Sequence, residues 1–301
     1  MDTPAWAAQL TNDPVGFLGA QSQANAPWLH PAPGEARPAL TLCWAAAALY
    51  GLNWGISIVR AIVHVVGLPW GRPCPPELDG CHAGWLSTFL SNSGHELTEP
   101  FYVLLGCLLI LHALRIPDIA ARPRAIADWG WEALAGLGWF FVLHISLLLA
   151  HLLTPSTRQF PYPTGSTPAE VTLQLLAGPL GGAVEEIWFG PVFITLMRRR
   201  GWSWRTTLLV AAVLRWAFHL YYGAPSWAMA LWGLAAAGLY ILTGKWWTLF
   251  VLHALHDLCA VAENLAPTAA SIANLLYLIA MVSLVSVLAA WAWPTLNTED
   301  V

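Results

Sequence analysis

The sequence predicts an all-α integral membrane protein of about eight transmembrane helices, and three observations predict it. The chain is 57% hydrophobic and only 10% charged, where a soluble domain carries about 25% charged residues. Its mean hydropathy is +0.56. Apolar runs recur at roughly 39–67, 97–114, 129–153, 171–197, 203–222, 226–243, 246–264 and 270–293, near the ~20 residues that cross a hydrocarbon core. Nineteen tryptophans, many at the ends of these runs, suit interfacial anchors. A net charge of −4 and the lack of a basic patch exclude nucleic acid as a partner. The partners expected are the lipid bilayer and a membrane-anchored protein or peptide.

In chain order, residues 1–38 are rich in Pro, Gly, Ala and Gln and read as a cytoplasmic or surface-lying leader. They lack a basic start followed by an apolar run, so no cleavable signal is expected. Residues 39–293 form one polytopic membrane domain, and 294–301 a short tail. The 68–96 loop after the first span holds Cys74 and Cys81, able to pair if that side is oxidising. Cys43, Cys107 and Cys259 fall in apolar runs and read as inert. His82, His95, Glu96 and Glu99 read as solvated loop residues. Arg115, Arg122 and Arg124 follow the second span. Arg198, Arg199, Arg200 and Arg205 follow the fourth, and Lys245 the sixth. With eight spans these three loops share one face, which the excess of Lys and Arg makes cytoplasmic, together with both termini. The expected location is a prokaryotic cell membrane. The fourth span starts at Thr167-Pro168-Ala169-Glu170, a capping-box arrangement with proline at the first helical position. Gly178-Pro179, Gly181-Gly182 and Gly190-Pro191 are expected to interrupt it, with a kink where Pro191 cannot donate to Ile187.

The chemistry sits in the last four runs. Glu185 and Glu186 lie in an apolar stretch with no lysine or arginine between Arg158 and Arg198. A charge at bilayer depth costs about 3 kcal/mol even on lenient scales, so a pair kept there points to a use. As helical neighbours they point about 100° apart, which predicts that they do not face one point. Arg215 and His219 are four residues apart on one face, as are His253 and Asp257; His256 is turned away from His253. Carboxylates and imidazoles brought to one depth by three helices have the composition of a hydrolytic site. A carboxylate can take a proton from water while a histidine orients that water or donates to an oxyanion.

The series Glu185-Glu186, then His219, then His253-x-x-x-Asp257 on late apolar helices resembles the CAAX-protease and bacteriocin-processing (CPBP, or Abi) family of intramembrane proteases. That family shows Glu-Glu-x-x-x-Arg, Phe-x-x-x-His and His-x-x-x-Asn/Asp motifs in this order. The resemblance covers roughly 165–265. It implies an Rce1-like CPBP helical bundle and hydrolysis of a peptide bond by glutamate-activated water. Glu185 would be the base and His219 would help hold the water. His253 and Asp257 would stabilise the oxyanion, with Glu186 in support. Substrates of prenyl-protein, bacteriocin or sorting type would all suit this core. Two positions depart from the pattern: Gly190 stands where the motif arginine is expected, and Arg215 where the phenylalanine is expected. Arg215 then reads as a relocated cation facing Glu185 or Glu186.

Four other readings stand beside this one. An inactive CPBP relative, an immunity or scaffold protein, would follow from Gly190. A zinc site made of Glu185, His219, His253 and Asp257 fits by ligand type, although the mechanism requires no cofactor. His144 and His151, two turns apart, with His64 or His112 opposite, have the spacing of a haem-binding pair, but that leaves the glutamates unexplained. A proton-coupled transporter would use the carboxylate pair, but no inverted repeat is visible.

Overall fold

The computed structural model describes residues 26–30, 37–65, 97–116, 168–220 and 224–265, with isolated helical positions between 136 and 153. The expected run 270–293, the tail 294–301, Thr167 of the capping box and the loop with Cys74, Cys81, His82, His95 and Glu96 lie outside these residues. So do residues 1–25 of the leader and the side chains of His64, His144, His151 and Cys259.

No strand occurs among the described residues, whose regular structure is helical throughout. Helices α1 (Leu40–Val65), α2 (Glu99–Ala113) and α3 (Pro168–Ile187) come first. A π-helical segment, Trp188–Ile194, joins α3 to the short α4 (Thr195–Arg199). Then follow α5 (Trp204–Phe218), α6 (Trp227–Thr243) and α7 (Trp247–Leu265). Among the described residues one helical run, Val171–Arg199, is both long and apolar enough to cross a membrane, with mean hydropathy 1.3. Helices α2 and α5 have 15 residues each, fewer than the ~17 that mark the lower limit of a span.

The outward faces explain the greasy composition. Trp44, Leu52 and Val59 on α1, Phe101, Leu105 and Leu109 on α2, Leu209 and Val213 on α5, and Val251 and Leu255 on α7 are all exposed. A soluble monomer rarely shows apolar surface on this scale, whereas helices in lipid present just such a face.

The central span differs from its sequence reading. Gly178, Pro179, Gly181 and Gly182 do not interrupt α3, which runs through them to Ile187. Instead Gly178 and Gly182 line a seam against α7. A Cβ on Gly178 would lie 3.2 Å from Asp257 Cβ, and one on Gly182 would lie 3.2 Å from His253 Cγ. Small residues four apart let two backbones approach where there is no water-driven force between helices. The break comes only at Gly190-Pro191, and it is a widened π turn rather than a simple kink. Proline cannot donate to the ladder, and a π turn is one way to accommodate the lost bond.

Two termini follow ordinary capping rules. Ser203 accepts a hydrogen bond from the Thr206 backbone N–H at 3.1 Å and caps α5. Gly244, with φ 69°, closes α6 in the left-handed conformation that favours glycine. At this end of the bundle the segment Ala26–Leu29 is packed in, with Ala26 and Leu29 fully buried. Trp28 donates from Nε1 to the Tyr240 hydroxyl at 3.2 Å. Arg199 donates to the carbonyls of Trp28 and Leu114.

Candidate active site

The polar residues of the late helices meet inside the bundle, where α7 packs on α3 and α6 on α5. Glu186 is the fixed point. Its Oε1 accepts from Arg215 Nη2 at 2.7 Å and from His253 Nδ1 at 2.8 Å. An ionised carboxylate only accepts, so His253 carries a proton on Nδ1. Glu185 Oε2 stands 2.9 Å from the same Arg215 Nη2. The adjacent glutamates thus converge on one nitrogen, contrary to the divergence expected from helical spacing. Their Cα–Cβ bonds do diverge, but both side chains are long and the arginine reaches to their tips from a neighbouring helix.

His253 Nε2 looks the other way, 3.8 Å from Glu185 Oε2 and 3.7 Å from Asp257 Oδ1. These separations exceed a direct hydrogen bond and leave room for a bridging group. His219 caps the C-terminus of α5, and its Nδ1 lies 2.8 Å from the carbonyl of Arg215. A carbonyl only accepts, so Nδ1 carries the proton and a neutral ring keeps its lone pair on Nε2. His256, one turn off the His253 face, is half-buried.

Exposure is graded across the site. The Arg215 side chain is 0% exposed and that of Glu186 1%, whereas those of Glu185 and Asp257 are 15% and 26% exposed. One carboxylate of the pair is sealed in and bound twice; the other is partly exposed.

The aromatic surroundings were not read from the sequence. The Arg215 guanidinium carbon sits 4.0 Å from the Trp232 ring centre and 5.2 Å from that of Phe189. Trp232 also meets His253 edge-on at 4.6 Å and lies 5.8 Å from His219. From α1, Tyr50 donates to the Leu214 carbonyl at 2.8 Å, and Trp188 donates to the Ala46 carbonyl at 3.0 Å. These bonds tie α1 to α5 and to the π segment.

Gly190 explains the displaced cation. A Cβ there would lie 3.3 Å from Cγ of Tyr240, whose side chain is fully buried. An arginine stem at 190 would press on that ring, and the guanidinium beside the glutamates comes from α5 instead.

The four ligands expected for zinc do not form the compact group. Within 4.8 Å of one another are ligand atoms of Glu185, Glu186 and His253, without His219 or Asp257. That trio already surrounds Arg215 Nη2, so a second cation would sit against a guanidinium. Among the described residues the group whose spacing could hold a metal ion is thus this trio, not the four ligands expected.

Residues 167–259 match the family model described as Type II CAAX prenyl endopeptidase Rce1-like. Over those 93 of the 301 residues the chain is similar to that family. No curated protein and no solved structure matches the chain. The matched stretch contains Glu185, Glu186, Arg215, His219, His253 and Asp257, and the family is one of membrane-integral CAAX-type proteases.

Proposed function

We propose that this Rce1-like chain is an intramembrane endopeptidase that cleaves a membrane-anchored protein or peptide with water activated by Glu185. The observation that carries this reading is the graded pair: Glu186 is buried and bound by Arg215 and His253, while Glu185 beside it remains partly open. The sealed carboxylate is an anchor; the open one is available to water.

In this mechanism Glu185 takes a proton as the water oxygen attacks the scissile carbonyl carbon. His219, with its Nε2 lone pair, accepts from the same water and orients it. The tetrahedral oxyanion forms near His253 Nε2, which donates to it when the ring carries its second proton. Asp257, acceptor-only when ionised, favours the charged His253 ring across 3.7 Å rather than donating to the oxyanion. The proton on Glu185 then passes to the amide nitrogen, the C–N bond breaks, and a carboxylic acid and an amine leave. Arg215 offsets the charge of the glutamate pair throughout.

The test is cleavage of a membrane-anchored substrate by the purified chain. Glu185→Gln keeps the shape but removes the base, and is expected to abolish turnover in a folded protein. Equal cleavage with glutamine at 185 would refute the assignment. Activity lost to a chelator and restored by zinc would replace Arg215 as the cation of the mechanism.

We read eight spans around this core, with 115–128, 198–205 and 244–246 on the cytoplasmic side. Cysteines introduced at 200 and 245 are then expected to be labelled from the same side of the membrane; opposite-side labelling rules the count out.

A further inference from the structure

We propose that Trp232 and Gly233, neighbours on α6, are positioning residues that hold the Arg215 guanidinium at the glutamate pair. The activity readout of this proposal rests on the protease reading above; the packing argument does not. Three observations support it.

First, Arg215 is fully buried, yet its hydrogen bonding is one-sided. Nη2 serves Glu186, whereas Nε and Nη1 have no hydrogen-bond partner among the described residues. A buried cation with unused donors needs another source of stabilisation. The face of Trp232, 4.0 Å from the guanidinium carbon, supplies it through the negative potential above an indole.

Second, Gly233 clears the path of the arginine stem. A Cβ at 233 would lie 2.9 Å from Arg215 Cβ and 3.2 Å from its Cγ. Those atoms are the fixed root of the side chain rather than its flexible end, so a methyl group at 233 must displace the root. The guanidinium would be carried out of register with both carboxylates.

Third, Trp232 touches the other working groups as well. Its ring is edge-on to His253 at 4.6 Å and 5.8 Å from His219. One rigid side chain therefore sets Arg215 and His253 relative to each other. Because the phenylalanine expected at 215 is an arginine in this chain, the cation arrives from an unusual direction. The Trp232-Gly233 step is what makes that direction workable.

The experiment compares Trp232→Phe, Trp232→Leu and Gly233→Ala in the purified full-length chain, with turnover of a membrane-anchored peptide and thermal unfolding midpoints both measured. A group that acts only by holding another in register affects kcat more than KM, so Trp232→Leu is expected to lower kcat by about 30-fold and to change KM by no more than about twofold. Trp232→Phe keeps an aromatic face and is expected to retain activity within about fivefold. The midpoints are also measured for Arg215→Gln and for the Trp232→Leu/Arg215→Gln double variant. If Trp232 acts through Arg215, the double variant is less destabilised than the sum of the two single changes. Additive midpoints, or Trp232→Phe as damaging as Trp232→Leu, overturn the proposal. If Trp232→Leu yields no folded protein, the same cycle on Gly233→Ala decides it. If the parent protein cleaves nothing, the protease reading fails on its own, and the thermal coupling still decides the placement of Arg215.

Discussion

The glutamate pair is gripped from two sides by different means. On one side α7 lies close against α3 because Gly178 and Gly182 have no side chains, and this approach brings His253 and Asp257 to the carboxylates. On the other side α5 and α6 stand farther off, and a long arginine covers the distance with Trp232 beneath its charge. The first grip is a backbone contact, set by two absent methyl groups. The second is a side-chain reach, set by an ion pair and an aromatic face. A seam of glycines tolerates almost no substitution in size, whereas a reaching side chain is vulnerable to loss of charge.

The sharpest way to break the comparison is to remove the reach. Arg215→Met leaves two carboxylates and an imidazole buried around no cation. Breaking a buried ion pair from one side costs about 3–5 kcal/mol, and the expected outcome is a large fall in the thermal midpoint together with loss of turnover. A midpoint unchanged in Arg215→Met would mean that the arginine contributes nothing to holding the pair.

Wedging the seam comes next. Gly182→Val places branched methyls where a single Cβ already lies 3.2 Å from His253 Cγ and 3.4 Å from Asp257 Oδ2. Overpacking of this kind costs about 1–3 kcal/mol, and the displaced His253 is expected to lower kcat at least as strongly as it lowers the midpoint. The smallest effect comes one residue earlier. A Cβ on Gly181 meets nothing within 4 Å, so Gly181→Ala is expected to stay within about 1 kcal/mol of the parent. If Gly181→Ala and Gly182→Val behave alike in unfolding and turnover, the seam is not where the structure puts it.

These contrasts show which features were legible. Among the described residues the helical class and the positions of six of the runs were readable, because apolar runs in a chain with 10% charge have few other uses. The start of the central helix at Pro168 was legible in the proline expected at its first helical position. The reading failed at Gly178, Pro179, Gly181 and Gly182, taken as breaks when two of them are contacts. Glycine is ambiguous by nature: its missing Cβ both loosens a helix and admits a neighbour, and the i, i+4 spacing of 178 and 182 was the signal for the second use. The divergence expected for Glu185 and Glu186 failed as well, because helical spacing fixes where a side chain starts and not where a long one ends. Trp232 and Gly233 carried no signal, being one more tryptophan among nineteen and one more glycine among twenty-four.

The sequence by itself determined the kind of chain this is and the residues with chemistry to offer. Burying charges in apolar surroundings is costly, so Glu185, Glu186, Arg215, His219, His253 and Asp257 stand out without any coordinates. Only the tertiary structure decided how they divide the work. It set Arg215 between both glutamates, sealed Glu186 while leaving Glu185 partly open, and filled the space at Gly190 with the Tyr240 ring. Those are outcomes of packing between helices far apart in the chain, where a difference of one methyl group decides which side chain reaches the site.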